Sequence, residues 1–340
     1  MVKIMALLQD TSVIIVTYNH ESFIENCLNS INTDFLDVIV VDNDSSDGTT
    51  DLIERKFPSV KLIRNRGNYG YGNGVNLGVK HSERKYLVIL NPDVKMGENS
   101  IKELIVPLEN REDIVTVPKA LVYDGSKINT CGNIEHFTGL PFTRGLGEDI
   151  DSFNESMFIN GLSGVCFAIK RDLYLKIGGF DESFFLYMED VDLSWNIHVN
   201  KLKVLYIPSS VIYHDYKLIV PAEKIYYLEK GRYIILKKYF TWKQYLIILP
   251  SLLITEMFAM GYSILKGPKG IKFKLKAMKE GFQIEIKKKN CDTGKLLESL
   301  DWKIPEEQLS YSAADVVLKR FANVIYYLNF NIFKKLAKAM

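Results

Sequence analysis

Three stretches of the sequence place acids where an apolar segment ends. The run VIL (88–90) stops on Asn91-Pro92 and then presents Asp93. Proline fixes a turn and has no backbone N–H to lose. Asp93 therefore stands at the lip of a buried strand, as a turn residue or as a hard oxygen ligand for Mg2+ or Mn2+ on a phosphate. The run DVIVVD ends on Asp42 and continues into Asp44, Ser45, Ser46 and Asp47. A turn and a helix cap account for Asp44 and Asp47, whereas Asp42, still inside the strand, suits an acceptor for a base or ribose. In FFLYMEDVDLSW (184–195), aromatic and apolar residues lead directly into Glu189, Asp190 and Asp192. Acids this close raise one another's pKa, and desolvation by Phe184, Phe185 and Trp195 would add to that, which suits a general base. The alternative is a solvated helix N-terminus, where acids complement the dipole. His214 ends the strand-like VIYH and is a metal ligand or a core histidine.

These residues need a scaffold, and the apolar pattern supplies one. SVIIVT (12–17), DVIVVD (37–42), VKLIR (60–64) and YLVIL (86–90) are short β-branched runs. Between the first two, Phe23, Ile24, Cys27, Leu28 and Ile31 recur on one helical face. DGTTDLIERKF predicts a second helix with Asp47 as N-cap and Leu52, Ile53 and Phe57 on one side. Such alternation predicts a parallel sheet covered on both faces, with ligands at the carboxyl ends of the strands. Asp42 and Asp93 both lie at such ends. Further on, a strand, a short helix and a glycine stop occupy 164–180, a helix 189–200 and a strand 203–208.

A dinucleotide-binding fingerprint needs glycines directly after the first strand, and Thr17-Tyr18-Asn19-His20 stands there instead. The glycine-rich NRGNYGYGNGVNLG (65–78) follows the third strand. There Asn65, Gly67 and Gly70 are expected to let the backbone approach a ligand closely, with helix N–H groups facing an anion.

Composition narrows the class. A chain of 340 residues, 47% hydrophobic and 25% charged, fits one large domain with an appendage or two domains. The expected division is 1–220 and 221–340. A net charge of +2 does not imply a nucleic-acid partner. The charge is uneven, however: nine lysines between Lys266 and Lys289 face only Glu280 and Glu285. Just upstream, residues 245–265 carry a single formal charge, Glu256. The run is long enough to span a bilayer, but Pro250 and Glu256 favour a buried or interfacial helix. With Lys237, Lys238 and Trp242 at headgroup level, the expectation is a peripheral protein on an anionic membrane surface, or an oligomer interface. The four cysteines lie far apart, and the N-terminal apolar run is too short for a signal peptide, so a cytoplasmic location is expected.

Taken together, SVIIVTYNH, VVDNDSSDGT, NRGNYGYGNGVNLG, LNPDV, GLSGVCFAIKRDLYLKIGGFDESFFLYMEDVDLSW and VIYH resemble the family 2 inverting glycosyltransferases of the GT-A fold, nearest their rhamnosyltransferase-like branch. The resemblance covers about residues 11–240. It implies that Thr17, Tyr18, Asn19 and Asp42 hold the base and ribose of a nucleotide-diphosphate sugar, such as dTDP-rhamnose or a UDP-sugar. It implies that Asp93 stands for the second aspartate of the DxD metal motif, helped by His214, and that Asp190 is the catalytic base. Ser163 and Gly164, with Glu189 and Trp195, would wall the donor sugar and a lipid-linked glycan acceptor. Two positions depart from the family pattern: Asn91 stands at the first DxD position, and Asn196 where an arginine is frequent. The competing readings are a sugar nucleotidyltransferase and a catalytically silent subunit of a glycan assembly complex. The first lacks its N-terminal glycine-rich loop.

Overall fold

A short helix, α1 (Val2–Gln9), leads into β1 (Thr11–Thr17), which is buried along its whole length. The computed structural model describes residues 2–31, 35–215, 221–306, 308 and 313–337. From β1 the chain alternates through α2 (Glu21–Asn29), β2 (Asp37–Asp42), α3 (Thr49–Lys56), β3 (Lys61–Arg64), α4 (Tyr71–Lys80) and β4 (Tyr86–Leu90). It continues through β5 (Val94–Met96), α5 (Ser100–Glu109), β6 (Ile114–Val122), β7 (Ile128–Thr130), β8 (Asn133–Glu135), β9 (Pro141–Thr143) and β10 (Met157–Ile159). Then come β11 (Cys166–Lys170), α6 (Arg171–Ile177), α7 (Glu189–Val199) and β12 (Lys203–His214). Helices complete the chain: α8 (Ala222–Tyr239), α9 (Trp242–Leu265), α10 (Gly267–Gln283), α11 (Thr293–Leu296) and α12 (Ala313–Ala337).

Among the described residues one sheet runs in the order β10-β12-β6-β11-β4-β1-β2-β3, with β5 on β12 and β7 on β6. The quartet β4-β1-β2-β3 is parallel, as the alternation predicts. Beyond β4 the sheet turns mixed, because β11 pairs antiparallel with both β4 and β6. Both faces are covered. Val13, Ile15, Val38 and Val40 face the apolar side of α2 and α5, while Ile14, Val16, Ile39 and Val41 face α4 and α7. Strands buried on both sides read as continuous apolar runs rather than alternating ones. Gly74 and Gly78 let α4 lie close on β1: a Cβ at either would come within 2.7 Å of Val16 or 2.5 Å of Ile14.

Two local readings shift. Helix α3 starts at Thr49 with Gly48 as N-cap, one residue later than the Asp47 cap predicted. The Asp47 carboxylate instead accepts the N–H of Thr49 at 3.0 Å and of Glu21 at 3.1 Å, tying two helix starts together. The strand predicted at 203–208 runs on to His214 through a register shift between Ile207 and Val211.

The chain divides into two compact units: Met1–Asn133 with Thr143–Lys217, and Ile134–Phe142 with Leu218–Met340. A cut at 220 overlooks the excursion Ile134–Phe142. It joins the helical unit because Phe137 packs on Phe330 at 5.1 Å, and His136 Nε2 pairs with the Trp302 carbonyl at 2.9 Å.

The helical unit encloses a buried ionic network. Arg232 and Lys274 both bond Glu229 and Glu256, and the Tyr233 hydroxyl bonds Glu256 at 2.9 Å. Burial alone would raise the Glu229 carboxyl, but the charges of Arg232 and Lys274 outweigh it and hold the group down to about 2. This corrects the lysine count for the surface: Lys274 is fully buried, Lys238 is buried, and Lys237 Nζ donates to the carbonyls of Phe282 and Ile284. Glu256, expected to interrupt an apolar helix, is turned into this network.

Candidate active site

The sheet topology gathers the predicted acids along one edge. Thr17, at the end of β1, pairs with Asp42 at the end of β2. Leu90, at the end of β4, pairs with Cys166 at the start of β11, and the Asn91 N–H donates to the Val165 carbonyl at 3.0 Å. After the Asn91-Pro92 turn, β5 runs beside β12, setting Val94 opposite His214.

That pairing brings Asp93 to His214, with Oδ1 3.4 Å from Nε2. The other ring nitrogen, Nδ1, lies 2.9 Å from Asn129 Oδ1, an oxygen that only accepts. The hydrogen on that side sits on Nδ1, and Nε2 faces Asp93 Oδ1, a buried atom with no hydrogen-bond partner among the described residues. A carboxylate oxygen and an imidazole nitrogen are a donor pair of the kind that holds a divalent cation. Metal–ligand bonds of roughly 2.0–2.2 Å suit such a nitrogen and oxygen pair. Among the described residues no third His, Cys, Asp or Glu joins them.

Beside this pair, the loops after β1 and β2 are laced together. The Asn19 N–H donates to Ser45 Oγ, and Asn19 Oδ1 accepts the Ser46 N–H, each at 2.8 Å. Asn19 holds a left-handed backbone, φ 58°. Asp42 is 2% exposed, and its two oxygens accept the N–H and the hydroxyl of Ser45. Each retains a second lone pair. Tyr18 is exposed. The His20 imidazole accepts the Tyr18 N–H at 3.0 Å, and its burial lowers its pKa against the charges of Asp93, Asp47 and Asp42.

The glycine-rich loop is fixed by packing and amide contacts. Gly70 adopts φ 91°, and a Cβ there would lie 2.2 Å from the Phe185 carbonyl oxygen. That same carbonyl accepts the Tyr71 N–H at 3.0 Å at the start of α4. Gly70 is therefore needed for close packing of the 184–188 segment. Asn65 donates to Asn43 Oδ1 at 2.7 Å, and Asn43 donates to the Gly70 carbonyl at 3.0 Å, so the amides hold the loop in place. Gly67 is partly exposed and meets only the Tyr69 ring, at 3.8 Å.

The 184–188 segment delivers the carboxylate pair. Tyr187 and Met188 both have positive φ, 62° and 70°, a strained turn that ends at the first residue of α7. Asp190 Oδ2 accepts the Gly164 N–H at 3.0 Å and the Asn133 amide at 3.3 Å, while Oδ1 accepts its neighbour Val191's N–H at 2.9 Å. Burial raises Asp190, and these donors pull it back. Glu189 is buried, its Oε2 has no donor among the described residues, and burial followed by the charge of Asp190 pushes it up to about 8. Burial thus favours the proton on Glu189, whereas three donors converge on the charged form of Asp190.

Two predicted contacts are corrected. Thr17 closes a strand buried on both faces; it is fully buried, and its hydroxyl lies 3.3 Å from His20 Nδ1. Trp195 is also fully buried, on the core side of α7, with no surface toward solvent. Ser163 and Gly164 remain partly exposed beside Asp190. The sequence reading missed Asn133 and Tyr71, whose hydroxyl donates to the Gly164 carbonyl at 3.0 Å. Asn133 lies 57 residues from Asp190 in a loosely patterned region, and no local motif marks it.

A family profile described as glycosyl transferase family 2 matches residues 12–178. An N-acetylglucosaminyl-diphospho-decaprenol L-rhamnosyltransferase of Mycobacterium tuberculosis is 27% identical over 230 residues, covering 59% of this chain and 75% of the relative. A low-salt glycan biosynthesis hexosyltransferase, Agl10 of Haloferax volcanii, is 27% identical over 213 residues, covering 58% and 66%. Among solved structures, GalNAc-T7 with UDP, GalNAc and Mn2+ aligns with a TM-score of 0.58 at 17% identity, over 81% of this chain and 54% of that one. S. aureus TarS aligns with a TM-score of 0.54 at 17% identity, over 96% and 55%. The chain thus spans about half the length of either solved structure, and the likeness is one of fold, GT-A.

Proposed function

Because the chain carries a glycosyl transferase family 2 domain, we propose that it moves a sugar from a nucleoside-diphosphate sugar to a hydroxyl of a lipid-linked glycan acceptor, with inversion at the anomeric carbon. The observation that carries the reading is Asp190, a buried carboxylate that accepts from Gly164, Val191 and Asn133, beside Glu189, which burial pushes up to about 8. A base in this state accepts the acceptor's hydroxyl proton as the oxygen attacks the anomeric carbon. The bond from that carbon to the β-phosphate oxygen breaks, and the nucleoside diphosphate leaves. A single displacement inverts the centre, and the proton ends on Asp190.

Asp93 and His214 are the residues that would hold Mg2+ or Mn2+, which would neutralise the diphosphate. Exposed Tyr18 and the remaining lone pairs of Asp42 offer contacts for base and ribose, on loops fixed by Asn19. The acceptor class follows from the similarity to a decaprenyl-diphosphate-directed rhamnosyltransferase. For the same reason dTDP-rhamnose heads the donors to test, with UDP-sugars next. The test is release of nucleoside diphosphate from a panel of such donors with Mn2+, with and without a polyprenyl-diphosphate sugar. Acceptor-dependent release that EDTA abolishes supports the reading. A thermal shift with a donor that gives no release under any condition favours a catalytically silent sugar-nucleotide-binding subunit.

A further inference from the structure

Helices α9 and α12 lie side by side and antiparallel in the helical unit. Asn329 donates to the Ile247 carbonyl at 2.7 Å, and the Thr255 hydroxyl meets the Tyr326 hydroxyl at 2.9 Å, so α12 descends as α9 rises. Their polar residues, Gln244, Ser251, Thr255, Asn323 and Asn329, are buried within the unit. Their outer sides are apolar. Leu246, Leu253 and Met257 on α9 and Phe321, Leu328 and Ile332 on α12 are each 53–69% exposed. These six side chains alone present on the order of 600 Å2, already the upper end of what an ordinary monomer shows.

Charge is confined to the two ends of this face. Lys243 and Lys335 are exposed at one end; Lys266 and Lys269 are exposed at the other, with Arg320, which also pairs with Glu306 at 3.5 Å. Between them the one acid of α9, Glu256, is engaged with Arg232 and Lys274, and residues 321–332 of α12 carry no charge. Trp242, 66% exposed, stands beside Lys243 at the first of these ends. We propose that the paired outer face of α9 and α12 docks in the plane of a bilayer leaflet bearing anionic headgroups. The apolar side chains enter the acyl boundary, and the cations at both ends meet phosphates. A helix whose opposite side is bonded into its own unit lies on the membrane rather than crossing it. A second copy is the poorer occupant: with cations at both ends, a two-fold pairing of this face sets like charges against each other in either orientation.

The test is flotation of the full chain with phosphatidylcholine vesicles, with and without 30% phosphatidylglycerol. The expected result is binding to the anionic vesicles, about tenfold stronger at low salt than to the neutral ones. The double variant Leu253→Glu/Phe321→Glu changes exposed positions only and is expected to melt as the wild type does while binding at least ~10-fold less. Lys266→Gln/Lys269→Gln/Arg320→Gln is expected to remove the preference for anionic lipid. Neither variant touches the transfer machinery, so nucleoside diphosphate release with a water-soluble acceptor separates failure here from failure of the proposed reaction. Wild type left unbound at low salt would overturn the proposal, as would unchanged binding of the double glutamate variant. A dimer in light scattering that the glutamates split into monomers would give the face to a second copy instead.

Discussion

Replacing Glu189 with glutamine keeps the side chain's shape and removes its titration, which makes it a direct probe of the carboxylate pair. In the folded chain Glu189 is pushed from its ordinary 4.5 to about 8. Between those values the folded protein holds a proton that the unfolded chain has released, so stability falls as pH rises through the window. At about 1.4 kcal/mol per pH unit, the full cost is on the order of 5 kcal/mol above pH 8 and on the order of 3 kcal/mol at pH 7. Glu189→Gln lifts that cost. The variant should therefore match the wild type near pH 4 and gain on it steadily up to pH 8. Trp195 lies fully buried on the same helix, and with Trp242 and Trp302 replaced by phenylalanine its fluorescence reports unfolding of this unit alone. Urea denaturation across pH 4–9 measures the difference; a constant offset belongs to the amide, and only the pH-dependent part counts. A difference flat with pH, or one that grows toward acid, would refute the assignment of the proton to Glu189. The same variant should still transfer sugar at pH 7, where the wild-type Glu189 is already neutral.

Removing the Asn133 amide takes a donor from the charged form of Asp190, so in Asn133→Ala the acid limb of the kcat/KM profile should move upward by roughly half to one pH unit; an unmoved limb means the 3.3 Å contact is idle. Asp93→Ala should weaken donor binding and leave what binding remains insensitive to Mn2+, read by calorimetry with the donor and with Mn2+ varied separately; an unchanged Mn2+ dependence would place the ion elsewhere. In the helical unit, Lys274→Met leaves Glu229 and Glu256 short of a partner and should cost about 3–5 kcal/mol of stability in denaturant melts, with Glu229→Gln recovering part of it.

The edge that gathers Asp42 and Asp93 was legible because it is made of strand ends. β-branched runs bounded by turn residues mark the parallel quartet, and an acid at the last position of such a run has few structural reasons to be there. What the sequence hid depends on distance along the chain. Asn133 reaches Asp190 because it bridges to Gly161, three residues before the Gly164 whose N–H meets the same carboxylate oxygen. Thr17 and Trp195 carry the right chemistry for a binding wall, but the sheet and helix turn them inward. Gly70 looks like a ligand-facing glycine, although its freedom serves a crossing of protein backbone. The lysine-rich stretch and Glu256 could not be sorted into inside and outside by count, since one lysine and the only acid of α9 find each other in the interior. The apolar face of α12 is masked in sequence by the asparagines and Lys319 on its inner side.

The central claim is that Asp190 is the base of an inverting transfer. Asp190→Asn keeps the donors from Gly164 and Asn133 near an amide of the same size but cannot take a proton. Acceptor-dependent turnover, measured beside donor affinity on the same preparation, should fall by a factor on the order of 10² to 10⁴ while donor affinity changes little. Turnover within a few-fold of wild type would contradict the account.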